Sequence, residues 1–484
     1  MIFHSTRVLG LAVLPLALTL AACGGDSTPV PTPKSDRIEP YDPGASKAAN
    51  ESALSPSAVA PSAYVVKLGP LAASVGSKAM GKQSMGTALQ IGQSRSVADT
   101  ASVTATSALL QWQPTTRGTQ VSALSFVAEG ARGVRLGVFI EALPEGSVLR
   151  FYGKRAADVV EVSAQQLQDT ARRNVEAGVP DAEARTYWSP DFGGSETSLE
   201  IEIPSAANSQ NVRIAVPRLS HFTSSPSEAQ EKLSSSTGSV RKVGESESCN
   251  VNATCVPDYL DQSRSVARMV YVKGGNSFLC TGTLLNDAKS SGTPYFLTAD
   301  HCISDQAVAS TLNTDWFYRA AACESSEVNP ATKRLTGGAT LLYSTSATDV
   351  ALLRLNDAPP AGIVYAGSYF GAAPSAGTAA AALHHPGGDL QKFSLGTVLG
   401  NASCVGNADC TSAQSGSFLE LGWKQGITEQ GSSGSAAFVQ LDGQRYVVGQ
   451  LFGGQSSCQA PNAPDYYGRF DVSYRSALQK WLNP

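Results

Sequence analysis

Thr298-Ala299-Asp300-His301-Cys302, then Asp349 opening the run Val350-Ala351-Leu352-Leu353-Arg354-Leu355, then Gly431-Ser432-Ser433-Gly434-Ser435, are the stretches whose order decides how this chain folds. They present a histidine, a carboxylate and a serine in turn. An imidazole can deprotonate a serine hydroxyl, a buried carboxylate can fix the imidazole tautomer, and backbone N–H groups can hold the developing oxyanion. His301 follows a strand-like apolar run and sits beside Cys302, whose disulfide to a neighbouring strand would hold the ring, with Cys280 as its natural partner. It is the expected general base, although alone it would read as a surface histidine. Asp349 stands at the edge of a strand apolar enough that a carboxylate there needs a specific partner to offset its desolvation. Asp300 is the rival, but in extended chain a residue adjacent to His301 points to the opposite side. The pattern Gly-x-Ser-Gly selects Ser433 among the three serines. Gly431 permits the backbone that aims its own N–H and that of Ser433 at the substrate carbonyl oxygen. Without the upstream motifs this stretch would read as a flexible Gly/Ser turn.

The order resembles that of the chymotrypsin-type serine peptidases. An α/β-hydrolase would place its catalytic histidine after the serine, and no histidine follows His385. Its nucleophile elbow also needs Gly two residues beyond the serine, where this chain has Ser435. His384-His385-Pro386 invites a metal reading, but adjacent strand residues face opposite sides, so the pair is expected to be structural and no metal is expected.

With 484 residues and 42% hydrophobic content, the chain can bury more than one core. A net charge of −4 argues for neither nucleic acid nor an anionic membrane surface as partner. The start reads as a targeting segment: Arg7, an apolar run from Val8 to Leu20, then Leu20-Ala21-Ala22-Cys23, which resembles a bacterial lipobox and implies lipid on Cys23. The plainer alternative is an ordinary cleaved signal peptide. Setting Cys23 aside turns nine cysteines into eight, all beyond residue 248, a set that can pair fully in an oxidising compartment. Spacing alone leaves about 105 connectivities open.

The organisation expected is a signal peptide (1–22), a low-complexity tether too poor in large apolar residues to pack (23–62), a β-rich domain (63–223), a cleavable linker (224–247) and a final domain (248–484). Alternation in Val134–Ile140 and Leu199–Ile203 predicts strands, and Ser163 to Glu176 a helix. The last domain reads as short strands with Gly-rich turns: Val266–Lys273, Phe278–Leu285, Tyr295–Thr298, Val350–Leu355, Ala380–His384, Phe418–Trp423, and Ala436–Gln440 joined to Tyr446–Phe452 across Asp442-Gly443. With a terminal helix near Ser476–Leu482 they suit an all-β fold, a double β-barrel of chymotrypsin type, preceded by a β-rich pro-region. No solenoid repeat and no membrane-spanning helix after the leader is expected.

Beyond the triad motifs, residues 249 to 484 resemble the bacterial lysyl endopeptidases. Gly426-Ile427-Thr428-Glu429, Gly449-Gln450-Leu451 with Gly453-Gly454, Ser456-Ser457-Cys458, and Asp465 ahead of Tyr467-Gly468-Arg469 carry that resemblance. It implies disulfides Cys249–Cys458, Cys255–Cys323 and Cys280–Cys302, leaving Cys404 and Cys410 to close a local loop. It also implies that Asp465 recognises a lysine preceding the scissile bond, since a carboxylate at the base of a narrow pocket compensates a buried cation; arginine is the alternative, decided by pocket depth. Leu451, Phe452 and Gly453 would line the substrate strand, and Phe452 departs from the histidine that related enzymes can place there. The position before the nucleophile, an aspartate in trypsin-like zymogens, is Ser432 here, so a new-amino-terminus switch is not expected. Removal of residues up to Lys242, by the enzyme itself, is the expected activation step.

The function expected is a serine endopeptidase acting on protein or peptide substrates through an acyl-enzyme. It needs no cofactor and is made as a lipid-tethered, exported precursor whose monomeric peptidase is released. The alternatives are a surface binding lipoprotein with a peptidase-like scaffold and a serine peptidase of other selectivity.

Overall fold

The computed structural model describes residues 36–44, 63–71, 86–154, 159–224, 246–406 and 409–484. The expected leader, Cys23 and Lys242 lie outside the described residues, as does nearly all of the linker. Among the described residues no helix is long and apolar enough to cross a membrane.

The carboxy-terminal half closes a six-stranded barrel: Gln444–Gly454, Ala436–Leu441, Ala379–His384, Lys392–Val405, Phe418–Gln425 and Asp465–Arg469, the last pairing back onto the first. Small residues on two of its strands, Ala380, Ala382 and Ala437, leave room inside for Trp423, Tyr467 and Leu421. The Asp442-Gly443 hairpin forms as its sequence predicts, with φ of 49° and 82° at those two positions, the pair of left-handed residues that matches strand twist. The first barrel runs Lys333–Leu335, Asn313–Trp316, Val266–Lys273, Asn276–Leu285, Tyr295–Ala299, Val350–Leu355, Ala339–Thr345, and among the described residues it remains open in pairing. The terminal helix begins earlier than its sequence suggests, at Phe470, and passes through one π turn to Leu482. Phe470, Tyr474, Leu478 and Leu482, four apart, pack into the seam between barrels with Leu297, Leu352 and Phe438.

The β-rich domain is a sandwich. One sheet holds Tyr64–Leu68, Thr119–Ala128, Glu196–Pro204, Val148–Tyr152 and Val160–Ser163. Leu199, Ile201 and Ile203 face the shared core, while Glu200 and Glu202 on the other face are buried too, beside Arg150, which bonds Glu200 at 2.9 Å and Glu161 at 2.8 Å and also reaches Glu202. Ser163 caps the helix Ala164–Glu176 in a reciprocal capping box with Gln166.

The second sheet of the sandwich does not end at the domain boundary. Its strand Leu89–Ser96 pairs with Asn276–Leu285 through Leu89, Gln90 and Gly92, so one sheet runs from the sandwich into the first barrel. Arg135 crosses the same junction fully buried. Its guanidinium donates to Ser189 O (2.6 Å) on its own side, and to Thr311 O (2.7 Å) and Val270 O (3.4 Å) on the other. Burial pushes its pKa down to about 10, with Asp191 opposing. Arg334 completes the contact from the barrel side, bonding Asp191 at 3.1 Å and Asp315 at 2.6 Å.

The tether expectation needs correction over residues 36–44. Arg37 and Ile38 pair with Tyr369 and Ser368 at the edge of the second barrel's sheet, Ile38 is buried, and Tyr41 packs against Tyr365. An edge strand supplies the hydrogen bonds that composition cannot reveal, and Gly367 leaves the space: a Cβ there would lie 2.7 Å from Ile38 O.

Candidate active site

The strand Tyr295–Ala299 ends in a tight turn, where Cys302 N and Ile303 N both donate to Ala299 O. That turn presents His301 to Asp349, whose carboxylate receives the ring through Nδ1···Oδ2 at 2.8 Å and the backbone through His301 N to Oδ1 at 2.9 Å. Both groups are largely buried, so neither bond competes strongly with water. Asp300 points away and bonds Ser344; burial and the neighbouring Asp349 push its pKa up.

One dipeptide ties histidine and serine to the same strand. Cys280 is disulfide-bonded to Cys302, beside His301, while Thr281 N donates to Ser433 O (2.8 Å) and Thr281 Oγ1 to Gly431 O (2.8 Å). The serine loop is held by crowding as well. Gly431 and Gly434 have φ of 92° and 83°, and a Cβ on Gly434 would lie 2.3 Å from Thr298 Oγ1. Ser432 is anchored from below: His384 Nδ1 lies 2.7 Å from its Oγ, and His384 Nε2 lies 3.0 Å from Ser394 Oγ. Burial pushes the His384 pKa to about 3, so the ring is neutral and bridges two hydroxyls. His385 turns elsewhere, its Nδ1 3.0 Å from Asp389 O.

His301 Nε2, the nitrogen that would meet the serine, is buried without a hydrogen-bond partner among the described residues. The amino-terminal domain comes near this ring through Phe452. Gly86, from the amino-terminal domain, lies so close to Phe452 that a Cβ would come within 2.4 Å of the ring, and Ala88 packs in the same cluster as Cys280 and Cys302. Phe452 in turn stands edge-on to the His301 ring, 6.2 Å between centroids, and packs with Phe418 and Tyr466 against the hairpin closed by Cys404–Cys410. The other disulfides join Cys249–Cys458 and Cys255–Cys323, the pairs that the resemblance implies.

Asp465 is fully buried. Its Oδ2 accepts from Trp423 Nε1 (2.6 Å), Thr428 Oγ1 (2.7 Å) and Ser456 Oγ (2.7 Å), and its Oδ1 from Ser456 N (3.1 Å). Burial pushes its pKa up and these donors offset part of that rise. Gly454 makes room, since a Cβ there would sit 1.9 Å from Oδ1. Leu451 braces the serine loop: its N donates to Ser435 O (2.9 Å) and its O accepts from Gly434 N (2.8 Å). Sequence reasoning quoted Thr428, Gln450 and Ser456 only as parts of a pattern, and gave no role to Trp423, Thr281 or Gly86. The first four are hydroxyl, amide or indole groups whose partners come from distant segments, a signal no local spacing carries.

Two family models match the chain: "Lysyl endopeptidase N-terminal domain" over residues 67–223 and "Lysyl endopeptidase, C-terminal domain" over residues 243–468. A lysyl endopeptidase of Pseudomonas aeruginosa is 33% identical over 392 residues, covering 78% of each chain. Among solved structures, the HtrA-type protease AlgW with a tripeptide matches at a TM-score of 0.33 and 16% identity over 47% of this chain and 62% of that one. The Rv3671c protease of M. tuberculosis in its active form matches at 0.32 and 16%, over 51% and 94%. With both domain models matched in order and a relative that spans most of both chains, this protein belongs to the lysyl endopeptidase family and is a serine endopeptidase acting on peptide or protein substrates.

Proposed function

We propose that this endopeptidase cleaves after lysine by a Ser433–His301–Asp349 triad and is made as a precursor whose amino-terminal domain blocks the cleft. The observation that carries the catalytic reading is the doubly bonded Asp349–His301 pair beside a serine loop fixed to the same strand. In the reaction, Ser433 Oγ attacks the scissile carbonyl carbon as His301 Nε2 takes its proton, and the Gly431 and Ser433 N–H groups stabilise the oxyanion. His301 then passes that proton to the leaving amine. Water, deprotonated by the same nitrogen, hydrolyses the acyl-enzyme. Asp349 holds the ring and stabilises the imidazolium.

Lysine rather than arginine is supported by how Asp465 is already engaged. Oδ2 accepts three donors, so a guanidinium would not find two parallel acceptors for its fork, whereas an ammonium needs one point of contact. Phe452 and Gly453 would line the approach, while Leu451, assigned the same role from sequence, packs inside the second barrel and holds the serine loop. A panel of peptides differing only in the residue before the scissile bond tests the reading. Cleavage after lysine, at least about tenfold preferred over arginine in kcat/KM and redirected by Asp465→Ser, is expected. Equal cleavage of both would overturn the lysine assignment.

The block is supported by Gly86 lying against Phe452, which stands edge-on to His301, by the sheet continuous across the two domains, and by Arg135. A cut after Lys242 breaks the covalent link between the domains but none of these contacts, so the severed domain should stay bound and inhibitory. If Cys23 carries lipid, the same cut frees the peptidase from the membrane once the domain leaves. Replacing Arg135 with Ala strips Thr311 O and Val270 O of their buried donor, a loss of about 2–4 kcal/mol of binding for such an anchor. The cut Arg135→Ala protein should therefore dissociate roughly 30- to 1000-fold more readily. Size-exclusion chromatography with activity recovery on dilution reads this, and an unchanged dissociation constant would rule out the anchor.

A further inference from the structure

We infer that Gln450 is a positioning residue for catalysis, holding the turn that presents Asp349 to His301; this rests on the triad reading above. Asp349 has φ of 51°, a left-handed conformation that aspartate adopts more readily than most residues but that must be held in one place for its carboxylate to meet the His301 ring, which is a constraint on the whole turn. Gln450 supplies that constraint. Its side chain is fully buried, and Nε2 donates to both carbonyls of the turn, Thr348 O at 2.7 Å and Asp349 O at 3.2 Å. Two further contacts hold the same turn: Asp300 N donates to Asp349 O (2.9 Å), and Thr348 Oγ1 lies 2.8 Å from Ser473 Oγ. Gly468 admits the amide, since a Cβ there would lie 2.3 Å from Nε2 and 1.8 Å from Thr348 O. Among the described residues Gln450 Oε1 has no partner though buried, so there this side chain is fixed through its donors alone.

The placement matters because of what lies next in the chain. Leu451 makes both bonds to the serine loop, through Ser435 O and Gly434 N. Two successive residues of one strand in the second barrel thus brace the nucleophile through the backbone and the acid through a side chain. Asp349 itself belongs to the first barrel. A shift between barrels would move acid and nucleophile apart, and the Gln450 amide opposes it.

The test uses the full-length chain cut with immobilised trypsin and diluted until the amino-terminal domain leaves, with active sites counted by a phosphonate. Gln450→Met keeps the volume and removes the donors, and Gln450→Ala serves if methionine is too bulky. The expected result is a kcat per titrated site lower by about 10- to 100-fold with KM within about twofold, the cost of misplacing a catalytic group. Loss or upfield movement of the downfield proton signal of the His301 Nδ1–H should accompany it. Wild-type kcat and an unchanged signal in a folded Gln450→Met protein overturn the proposal. So does failure of both variants to fold, which would assign the residue to stability. Asp349→Asn run in parallel separates the two readings. If it too keeps the wild-type kcat, the triad assignment fails; if it is about 10⁴-fold slower while Gln450→Met is normal, only the positioning role does.

Discussion

Replacing Ser433 with Ala is expected to lower kcat on a lysyl peptide by about six orders of magnitude, the loss seen when a triad nucleophile is removed. The expectation is this large because the remaining groups have no alternative nucleophile to activate. Ser432 is committed to His384 and to Glu429 N, and Ser435 is turned into the fold, its Oγ buried. The residual rate should be that of bound water helped by the oxyanion N–H groups, about 10³-fold over the uncatalysed reaction. Stability should hardly change. Among the described residues Ser433 Oγ makes no hydrogen bond, and the loop is held by Ser433 O on Thr281 N and by the flanking glycines. A melting temperature near wild type with activity lost therefore isolates chemistry from folding. The same variant reports on processing: if the enzyme cuts its own linker, Ser433→Ala accumulates as the full-length chain and is cut only when active enzyme is added. Retention of more than about one per cent of wild-type kcat would remove Ser433 from the nucleophile role.

The order of the three motifs was legible because each carries its own local chemistry. A histidine beside a cysteine after an apolar run, an aspartate opening a buried strand and a serine between glycines can each be read within a few residues. The Asp442-Gly443 turn and the helix ending at Glu176 were legible for the same reason, although Ser163, read as its first residue, is its cap. What periodicity could not carry was pairing between distant edges. Leu89–Ser96 reads as an ordinary amphipathic strand, and nothing in it names Asn276–Leu285 as its neighbour. Arg37 and Ile38 look like tether until the edge strand they join is known. Glu200 and Glu202 read as a wet face, yet Arg150 buries them. Asp465 could be singled out by resemblance, but its environment could not: Trp423, Thr428 and Ser456 come from three segments that meet only when the second barrel closes. That closure also explains why an unpaired carboxylate is tolerated there. Neutral donors satisfy its oxygens while leaving its charge uncompensated, which is the condition for binding a cation.

From that uncompensated charge comes the second large effect. Asp465→Asn should lower kcat/KM for lysyl substrates by about 2–5 kcal/mol, roughly 30- to 5000-fold, because the substrate ammonium would then be buried without a counter-charge. The amide adds its own conflict. Its NH₂ group would face Thr428, Ser456 and Trp423 donors unless it flips, so the structurally gentler Asp465→Ser is the better probe of altered selectivity. Titration gives an independent handle. The ammonium binds the ionised carboxylate, so a proton on Asp465 competes with it, and binding must weaken as pH falls through the pKa of the empty pocket. Burial raises that pKa above the ordinary aspartate value, so the weakening should set in at a higher pH than it would for an exposed carboxylate. Competitive inhibition by butylammonium, a lysine side chain without a peptide, isolates this pocket from the His301–Ser433 chemistry. Its inhibition constant should rise about tenfold per pH unit below that pKa and become flat with pH in Asp465→Asn. A wild-type constant that is already flat across the acid range would mean that the cation is not held by Asp465. The basis of the proposed lysine preference would then have to be sought elsewhere along the cleft.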